Sequence, residues 1–228
     1  MKKALWSIFL LGNMCIGQNL LGNLAVFEES ARNFNDMKYL VDGVNGHQYY
    51  LDEWGVGKII INDSINTPQA RIQFDLVSGE PIIGNSSKAN EGFILRDKSV
   101  TGFVINNTNF VRIPRSHFLE TVNRDYFVTP IFNKEKYLLI DYHKVLKEPY
   151  VLKNGYNDAD QNKKYVTIKK YYILNKNHKY VQVKLKEKEI LKVLSDKTKE
   201  LKKYIKTNNL KLKKEEDVVK TLEYYNTL

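Results

Sequence analysis

Cysteine is almost absent from this chain, and its scarcity excludes one class of protein at once. Cys15 is the only cysteine among 228 residues, so no intramolecular disulfide can form. A small secreted scaffold held together by disulfides is therefore excluded. Stability must come from a hydrophobic core, and a chain that is 43% hydrophobic with fifteen tyrosines and ten phenylalanines is long enough to build one.

The chain also lacks an apolar run long enough to cross a membrane as a helix. Its most apolar run, residues 4 to 11, is far shorter than the ~20 residues that a bilayer requires. Two lysines precede this run and a polar segment follows it, which is the layout of a secretory signal peptide. Because Cys15 and Gly17 have small side chains, we predict a signal peptide over residues 1–17, cleavage before Gln18 and a mature chain without cysteine.

Two alternatives stay open for this N-terminal segment. Cys15 would carry a lipid if it became the first mature residue, although Asn13 and Met14 before it are larger than lipoprotein processing prefers. The segment would otherwise be an ordinary buried first helix. Under the signal-peptide interpretation the protein is exported, and we expect it to be periplasmic or outer-membrane associated and not transmembrane.

Motifs for common catalytic chemistry are missing. None of the four histidines lies in a zinc-binding pattern, and no nucleophile elbow, P-loop or dinucleotide fingerprint occurs, so we expect no metal and no cofactor. Asp158, Asp160 and Asn162 copy the first ligand positions of a calcium loop. However, Lys163 and Lys169 stand where the glycine and the closing glutamate should be. We interpret this segment as a solvated loop.

Positive charge is concentrated in the C-terminal third of the chain. The whole chain has a net charge of +10, whereas residues 161–228 hold nineteen lysines against eight acidic residues, and residues 18–160 have a net charge of −3. We therefore predict an antiparallel β domain over residues 18–160, followed by a basic β-hairpin and a C-terminal helical pair packed on the same domain.

Short alternating runs between polar turns predict the β domain. In residues 70–76 apolar side chains alternate with Arg71, Gln73 and Asp75, the pattern of a strand with one wet face. Similar runs recur at about ten-residue spacing, and no crossover helix separates them. They cover residues 57–61, 80–84, 92–96, 100–106, 110–113, 126–132, 136–142, 164–174 and 179–185. We expect an α+β, mainly β fold, as an antiparallel sandwich or curved sheet, with a short N-terminal helix around residues 27–40 and two C-terminal helices.

A helical period begins at Glu187 and predicts one amphipathic helix over residues 187–206, with a second helix starting near Lys214. Its polar side carries Lys188, Lys192, Lys199, Lys203 and Lys206. This stripe is a candidate contact for a partner envelope protein, an anionic glycan or a lipid headgroup. Nucleic acid is not favoured, because an exported protein seldom meets it and no nucleic-acid motif is present. The acids between the lysines keep a merely solvated face as the alternative.

The most site-like local group is Asp52-Glu53-Trp54. Adjacent carboxylates beside an aromatic ring predict, as a second hypothesis, a carbohydrate-active enzyme that uses Asp52 and Glu53, with Trp54 in a sugar platform. The alternative places Trp54 in the core and the acids in water. A third hypothesis is an apolar-ligand carrier in a curved sheet, with a large cavity lined by Phe74, Phe103 and tyrosine residues. The sequence favours a non-catalytic binding protein over both.

Three segments together resemble a known group of proteins. These are the signal ending in Gly-Gln, "YLDEWGVGKIIIND" followed by "RIQFDL", and the ending "DKTKELKKYIKTNNLKLKKEEDVVKTLEYYNTL". They resemble uncharacterised exported proteins of Bacteroidota, especially flavobacteria, over most of the mature chain. The resemblance implies a compartment and no assigned activity. The segment "DSI" (63–65) is also similar to the O-glycosylation sequon of that phylum, which implies a sugar on Ser64, with a plain turn serine as the alternative.

Overall fold

The computed structural model describes residues 32–33, 43–64, 67–84, 91–131, 138–148 and 162–228. The predicted signal peptide, with Cys15 and Gly17, and the predicted first mature residue Gln18 lie outside these ranges. Within these ranges the strands are β1 (Arg32–Asn33), β2 (Val44–Asn45), β3 (Gly55–Ile61), β4 (Ala70–Asp75), β5 (Glu80–Gly84), β6 (Glu91–Ile94), β7 (Val100–Ile105), β8 (Thr108–Ile113), β9 (Tyr126–Pro130), β10 (Leu138–Lys147), β11 (Lys163–Leu174) and β12 (Tyr180–Val183). The α-helices are α1 (Glu187–Val193), α2 (Thr198–Thr207) and α3 (Glu215–Tyr225). None of these helices has the length and hydrophobicity needed to cross a bilayer.

The strands form one large sheet in the order β1-β6-β5-β4-β3-β7-β8-β9-β10-β11-β12, and β2 is attached to β11. The β2–β11 pair is parallel, and the other strand pairs of the described residues are antiparallel. Because neighbours along most of this order are also neighbours in sequence, short hairpins suffice to build the sheet. The mainly β, antiparallel fold class that the alternating runs predict is confirmed.

The structure bears on two parts of the predicted organisation. Of the helix expected around residues 27–40, only Arg32–Asn33 is described, and it pairs as a strand with β6. The division at residue 160 does not interrupt the sheet. Strands β10 and β11 pair over ten residues, from Leu138↔Ile173 to Lys147↔Lys164. The basic C-terminal segment therefore continues the sheet of the preceding part.

Tight hairpins are set by pairs of polar residues with left-handed backbone. Asn62 and Asp63 have φ values of 47° and 61° and form the turn between Ile61, the last residue of β3, and its bridge partner Ser64. Asn106-Asn107 has φ values of 44° and 70° between β7 and β8. Two-residue hairpin turns of type I′ need positive φ at both positions, and asparagine and aspartate tolerate it best after glycine. The second turn lies one residue earlier than the "NTN" sequence predicts, and β8 accordingly starts at Thr108.

Strand β9 pairs with two different neighbours along its length. Its first residues pair with β8 (Val111↔Val128), and its last residues pair with β10 (Thr129↔Ile140). The far half of β10 then returns to the end of β4, where the Lys144 backbone N–H donates a hydrogen bond to the carbonyl of Leu76 at 3.1 Å. The strands from β3 to β10 thus curl around a shared interior.

Phenylalanine rings fill that interior. Phe103 stacks on Phe110 with ring centroids 4.8 Å apart, and Phe74 meets Phe103 edge-on at 5.3 Å. Phe127 completes the group at 5.2 Å from Phe103. These distances are those of direct ring packing, so no ligand fits between the rings. The cavity that the carrier hypothesis requires at Phe74 and Phe103 is therefore occupied by the rings themselves.

The helices cover the same face of the sheet further along, on β10 to β12. Their buried side chains pack with Leu138, Ile173 and Val183 of the sheet; they are Ile190, Leu191, Leu194, Leu201, Ile205, Val218 and Leu222. The prediction of a single helix over residues 187–206 is wrong. The chain leaves the α-conformation at Leu194, and a 3₁₀ turn follows at Ser195–Lys197. Leu194 is fully buried at this break, in the same cluster as the buried side chains of α1 and α2.

Candidate functional site

All five lysines of the predicted stripe are exposed, on α1 and α2. On α2, exposed Lys199, Lys202, Lys203 and Lys206 are spaced by three, four and seven residues, which places them in one arc of a helical wheel. We call these four residues the lysine face. The buried residues Leu201 and Ile205 lie on the opposite side of α2. The fourth lysine, Lys202, was not part of the predicted stripe.

The lysine face makes no ion pair with any other described residue. The acids nearby are partly committed to other partners. The Glu189 carboxylate accepts a hydrogen bond from the Lys184 backbone N–H at 2.6 Å, and Asp196 accepts one from the Tyr225 hydroxyl at 3.1 Å. Glu200 falls outside the lysine arc of the wheel. The positive charge of this face therefore stays available to an external partner.

The Asp52-Glu53-Trp54 group lies in a bulge that interrupts the strand leading into β3. Residues 48–50 pair with the end of β4, as shown by the Tyr50 N–H donating to the Phe74 carbonyl at 2.8 Å. Gly55 and Gly57 of β3 then pair with the start of β4. Between the two paired stretches the chain loops out, and the buried amide of Gln73 bonds to its backbone at Leu51 and Glu53. The bulge presents the three residues to different surroundings.

These surroundings separate the aromatic ring from the acids. The Asp52 side chain is 90% exposed, and its carboxylate is 2.8 Å from the Nε2 of buried His47. Glu53 is exposed, whereas half-buried Trp54 packs beside Ile82 and Ile94 with Arg71 over its ring at 5.4 Å. This arrangement matches the alternative with Trp54 in the core and the acids in water. Catalysis by Asp52 and Glu53 stays a prediction.

Ser64 lies directly after the Asn62-Asp63 turn and is exposed. Its backbone N–H and carbonyl both bond to Ile61, at 2.9 and 3.0 Å, so the serine closes the hairpin end. Residue 65 of the sequon lies outside the described residues. Glycosylation of Ser64 stays a prediction, and the turn role of Ser64 is a structural fact.

A pocket that the sequence analysis missed lies on the opposite face of the sheet from the helices. Residues 114–125, which we call the strap, leave β8 and return as β9. At its base the Arg115 N–H donates to the Asp125 carboxylate at 3.0 Å, and at its far end the Leu119 N–H donates to the Tyr180 carbonyl at 2.9 Å. A pocket of about 300 Å³ lies between the strap and strands β11 and β12. We call it the strap pocket.

Aromatic rings form much of the strap pocket. Phe118 of the strap meets Tyr172 of β11 edge-on at 5.1 Å and Tyr126 of β9 edge-on at 5.2 Å. Tyr180 of β12 is 5.8 Å from Phe118. Burial raises the pKa of Tyr180 to about 12, and it also raises the pKa of Tyr172 and of Tyr126. All three hydroxyls are therefore protonated donors at neutral pH.

A buried carboxyl group lies next to the pocket. Asp141 is directly opposite Lys170 across the β10–β11 pair, so both side chains are on the pocket face of the sheet. Burial raises the pKa of Asp141, against the nearby charges of His143, Lys170 and Arg124. Burial also lowers the pKa of His143, whose Nδ1 is 3.9 Å from the Asp141 carboxylate. The carboxylate accepts no hydrogen bond from any described residue.

Sequence reasoning missed this site because its residues are far apart in the chain and carry no shared motif. The only signal was the high tyrosine content with "YY" in β11 and "KY" in β12. Within the described ranges, no three histidine, cysteine, aspartate or glutamate side chains come together as a metal centre would require. Of the calcium-like loop only Asn162 onward is described, and Lys169 is 3.0 Å from Glu215 of α3.

Comparison of the chain with protein-family models, with curated proteins and with solved structures finds no match in any of the three. Conclusions about function therefore rest on the residues and their geometry.

Proposed function

We propose that the protein is a non-catalytic binding protein of the cell envelope and that its lysine face binds an anionic envelope component. The chemistry recognised is dense surface negative charge, carried by lipid headgroups or by an acidic glycan. The single observation behind the proposal is that Lys199, Lys202, Lys203 and Lys206 share one arc of α2 without an ion pair to a described residue.

The physical basis is the summed attraction of several lysines to one charged surface. The lysine face extends over seven residues of helix, about 10 Å at a rise of about 1.5 Å per residue. Each lysine near an anionic membrane surface contributes about 1 kcal/mol, so four contribute about 4 kcal/mol. That free energy corresponds to a dissociation constant of about 1 mM. Binding by this face alone is thus weak, reversible and reduced by salt.

The envelope location is a separate part of the proposal. It rests on the signal-peptide layout of residues 1–17 and on the resemblance to exported proteins of Bacteroidota. N-terminal sequencing of the protein from a periplasmic fraction tests it, and we expect Gln18 as the first residue. Recovery of the protein from the cytoplasm with its N-terminus intact would overturn the envelope location. It would not test binding by the lysine face, which has a separate experiment.

Vesicle cosedimentation at low and high salt tests the binding itself. We expect the wild-type protein to sediment with phosphatidylglycerol vesicles and not with phosphatidylcholine vesicles. The test variant reverses three charges, Lys199→Glu, Lys203→Glu and Lys206→Glu. A matched control makes the same change at three exposed lysines away from the helices: Lys58→Glu and Lys147→Glu in β3 and β10, and Lys98→Glu in the β6–β7 turn. The test variant should lose at least about 100-fold in affinity, since about 3 kcal/mol of attraction is removed.

The outcomes separate the sources of negative charge. Retention on an acidic polysaccharide such as polygalacturonate, without vesicle binding, would assign the face to a glycan. Equal losses in the test and control variants would show that net charge and not this face determines binding, and would overturn the proposal. Absence of wild-type binding to both probes at low salt would overturn it as well.

A further inference from the structure

The strap pocket collects polar groups that have no partner among the described residues. The hydroxyls of Tyr126 and Tyr172, the ammonium of Lys170 and the amide of Gln182 make no hydrogen bond or ion pair with another described residue. Tyr172 as a whole is only 4% exposed, but its hydroxyl is still accessible from the pocket. An accessible hydroxyl that bonds to no described residue can donate to or accept from a ligand in the pocket.

Rings and donors alternate around the same small space. Phe118 and Tyr172 are 6% and 4% exposed, so half-buried Tyr126 offers the larger accessible ring surface. Gln182 is directly opposite Tyr172 across the β11–β12 pair, and Lys170 lies two residues before Tyr172 on the same face of β11. The volume of about 300 Å³ is at the lower end of the range of about 300–1,000 Å³ that small-molecule pockets occupy. A ligand of this pocket is therefore small, with many hydroxyl groups and with patches of C–H surface.

The charges around the pocket argue against an ionic ligand. A cation would meet Lys170 in the lining and Arg124 nearby. An anion would meet Glu120 of the strap and the buried Asp141 carboxyl behind Lys170. A neutral ligand is repelled by neither set of charges. Its hydroxyl groups can both accept hydrogen bonds from Lys170 and donate them to acidic oxygens.

We infer that the strap pocket binds a neutral sugar of one or two residues. The sugar places a C–H face against half-buried Tyr126 and bonds through its hydroxyls to Lys170, Gln182 and the Tyr172 hydroxyl. This site is on the face of the sheet opposite the helices, so it is independent of the lysine face. The strap forms one wall of the site, and the hydrogen bond from the Leu119 N–H to the Tyr180 carbonyl ties it to β12.

Saturation-transfer NMR with the mature protein tests the inference. The probes are glucose, galactose, mannose and N-acetylglucosamine, with inorganic phosphate as the anionic comparison. We expect transfer to at least one of the four sugars, with chemical-shift changes confined to residues of the strap pocket. Tyr172→Phe keeps the ring and removes the hydroxyl, and it should weaken binding about 2- to 10-fold, the value of one neutral hydrogen bond.

Matched variants separate loss of binding from loss of structure. Tyr204→Phe makes the same change in the ring pair that Tyr204 forms with Tyr224 at 4.1 Å, far from the pocket lining, and should bind like the wild type. Lys170→Ala should weaken binding, whereas Lys176→Ala in the exposed β11–β12 turn should not. Failure of all four sugars, or equal binding by Tyr172→Phe, Lys170→Ala and the wild type, would overturn the inference. Phosphate binding without sugar binding would overturn it too.

Discussion

Gln73 holds the bulge between residues 48–50 and β3, and replacing it with alanine should destabilise the protein strongly. The side chain is fully buried and makes four hydrogen bonds to backbone groups. Its Oε1 accepts from the N–H groups of Leu51 at 3.1 Å and Phe74 at 3.0 Å. Its Nε2 donates to the carbonyls of Leu51 at 2.8 Å and Glu53 at 2.9 Å. Gln73→Ala removes all four bonds together.

The magnitude follows from how many of these groups can find water. A buried backbone group left without a partner costs about 1–3 kcal/mol. The Phe74 N–H is in the buried strand β4 and would stay dry, whereas the exposed position of Glu53 lets water reach its carbonyl. We therefore expect a loss of about 2–4 kcal/mol in the free energy of unfolding. This is a large part of the about 5–15 kcal/mol that stabilises a typical domain.

Denaturant unfolding measures this loss, and Gln182→Ala provides the matched control. Gln182 is the same residue type in a strand but is exposed and makes no hydrogen bond with a described residue. Its replacement should change stability by no more than about 0.5 kcal/mol. Amide exchange at Leu51 should also accelerate in Gln73→Ala. A loss below about 1 kcal/mol, or one equal to that of the control, would refute the role assigned to this side chain.

Two further predictions concern close packing and buried charge. Gly57→Ala should cost about 3 kcal/mol or more in denaturant unfolding, because its Cβ would lie 1.7 Å from the immobile carbonyl oxygen of Val104. Asp141→Asn should raise stability by about 1 kcal/mol or more at pH 7. Because burial raises the pKa of Asp141 in the folded state, this gain should shrink as the pH falls and the wild-type carboxyl becomes protonated. A gain that is constant from pH 4 to pH 8 would contradict the assignment.

Local sequence patterns predict most of the strands, because each strand is defined by its own alternation and its own turn residues. The run over residues 70–76 corresponds to β4, and the run over 164–174 corresponds to β11. The turn at Asn175 to His178 also closes as expected, with His178 at a φ of 55°. These features depend on neighbours within a few residues, which the sequence displays directly.

The wet face predicted for β4 is wrong, and the reason is contact between distant segments. Gln73 is fully buried and Asp75 is 7% exposed, although both alternate with apolar residues. The bulge at Leu51 and Glu53 bonds to the Gln73 amide, and Asp75 accepts hydrogen bonds from the N–H groups of Val77 and Ser78. Period-2 alternation identifies the two faces of a strand, but it does not show that a loop will cover the polar one.

The strap pocket could not be predicted for a related reason. Tyr126 and Tyr172 are 46 positions apart, and they meet only because β9 leaves β8 to pair with β10. The break at Leu194 is equally hidden, since the periodicity of residues 187–206 continues through it. Helical periodicity shows which side chains are buried. The buried side chains keep a helical spacing on both sides of the break, so the break itself leaves no mark in the sequence pattern.

The position of β11 between the two proposed sites makes their effects separable. Tyr171 and Tyr172 are adjacent, but in a strand adjacent side chains point to opposite faces. The Tyr171 hydroxyl donates to Glu215 of α3 at 2.6 Å on the helix face, whereas Tyr172 lines the strap pocket. Mutations that share no contact partner have additive effects. Combining Lys199→Glu with Tyr172→Phe should therefore change vesicle binding and sugar binding by the same factors as each substitution alone, and a coupling between them would require the sheet itself to transmit it.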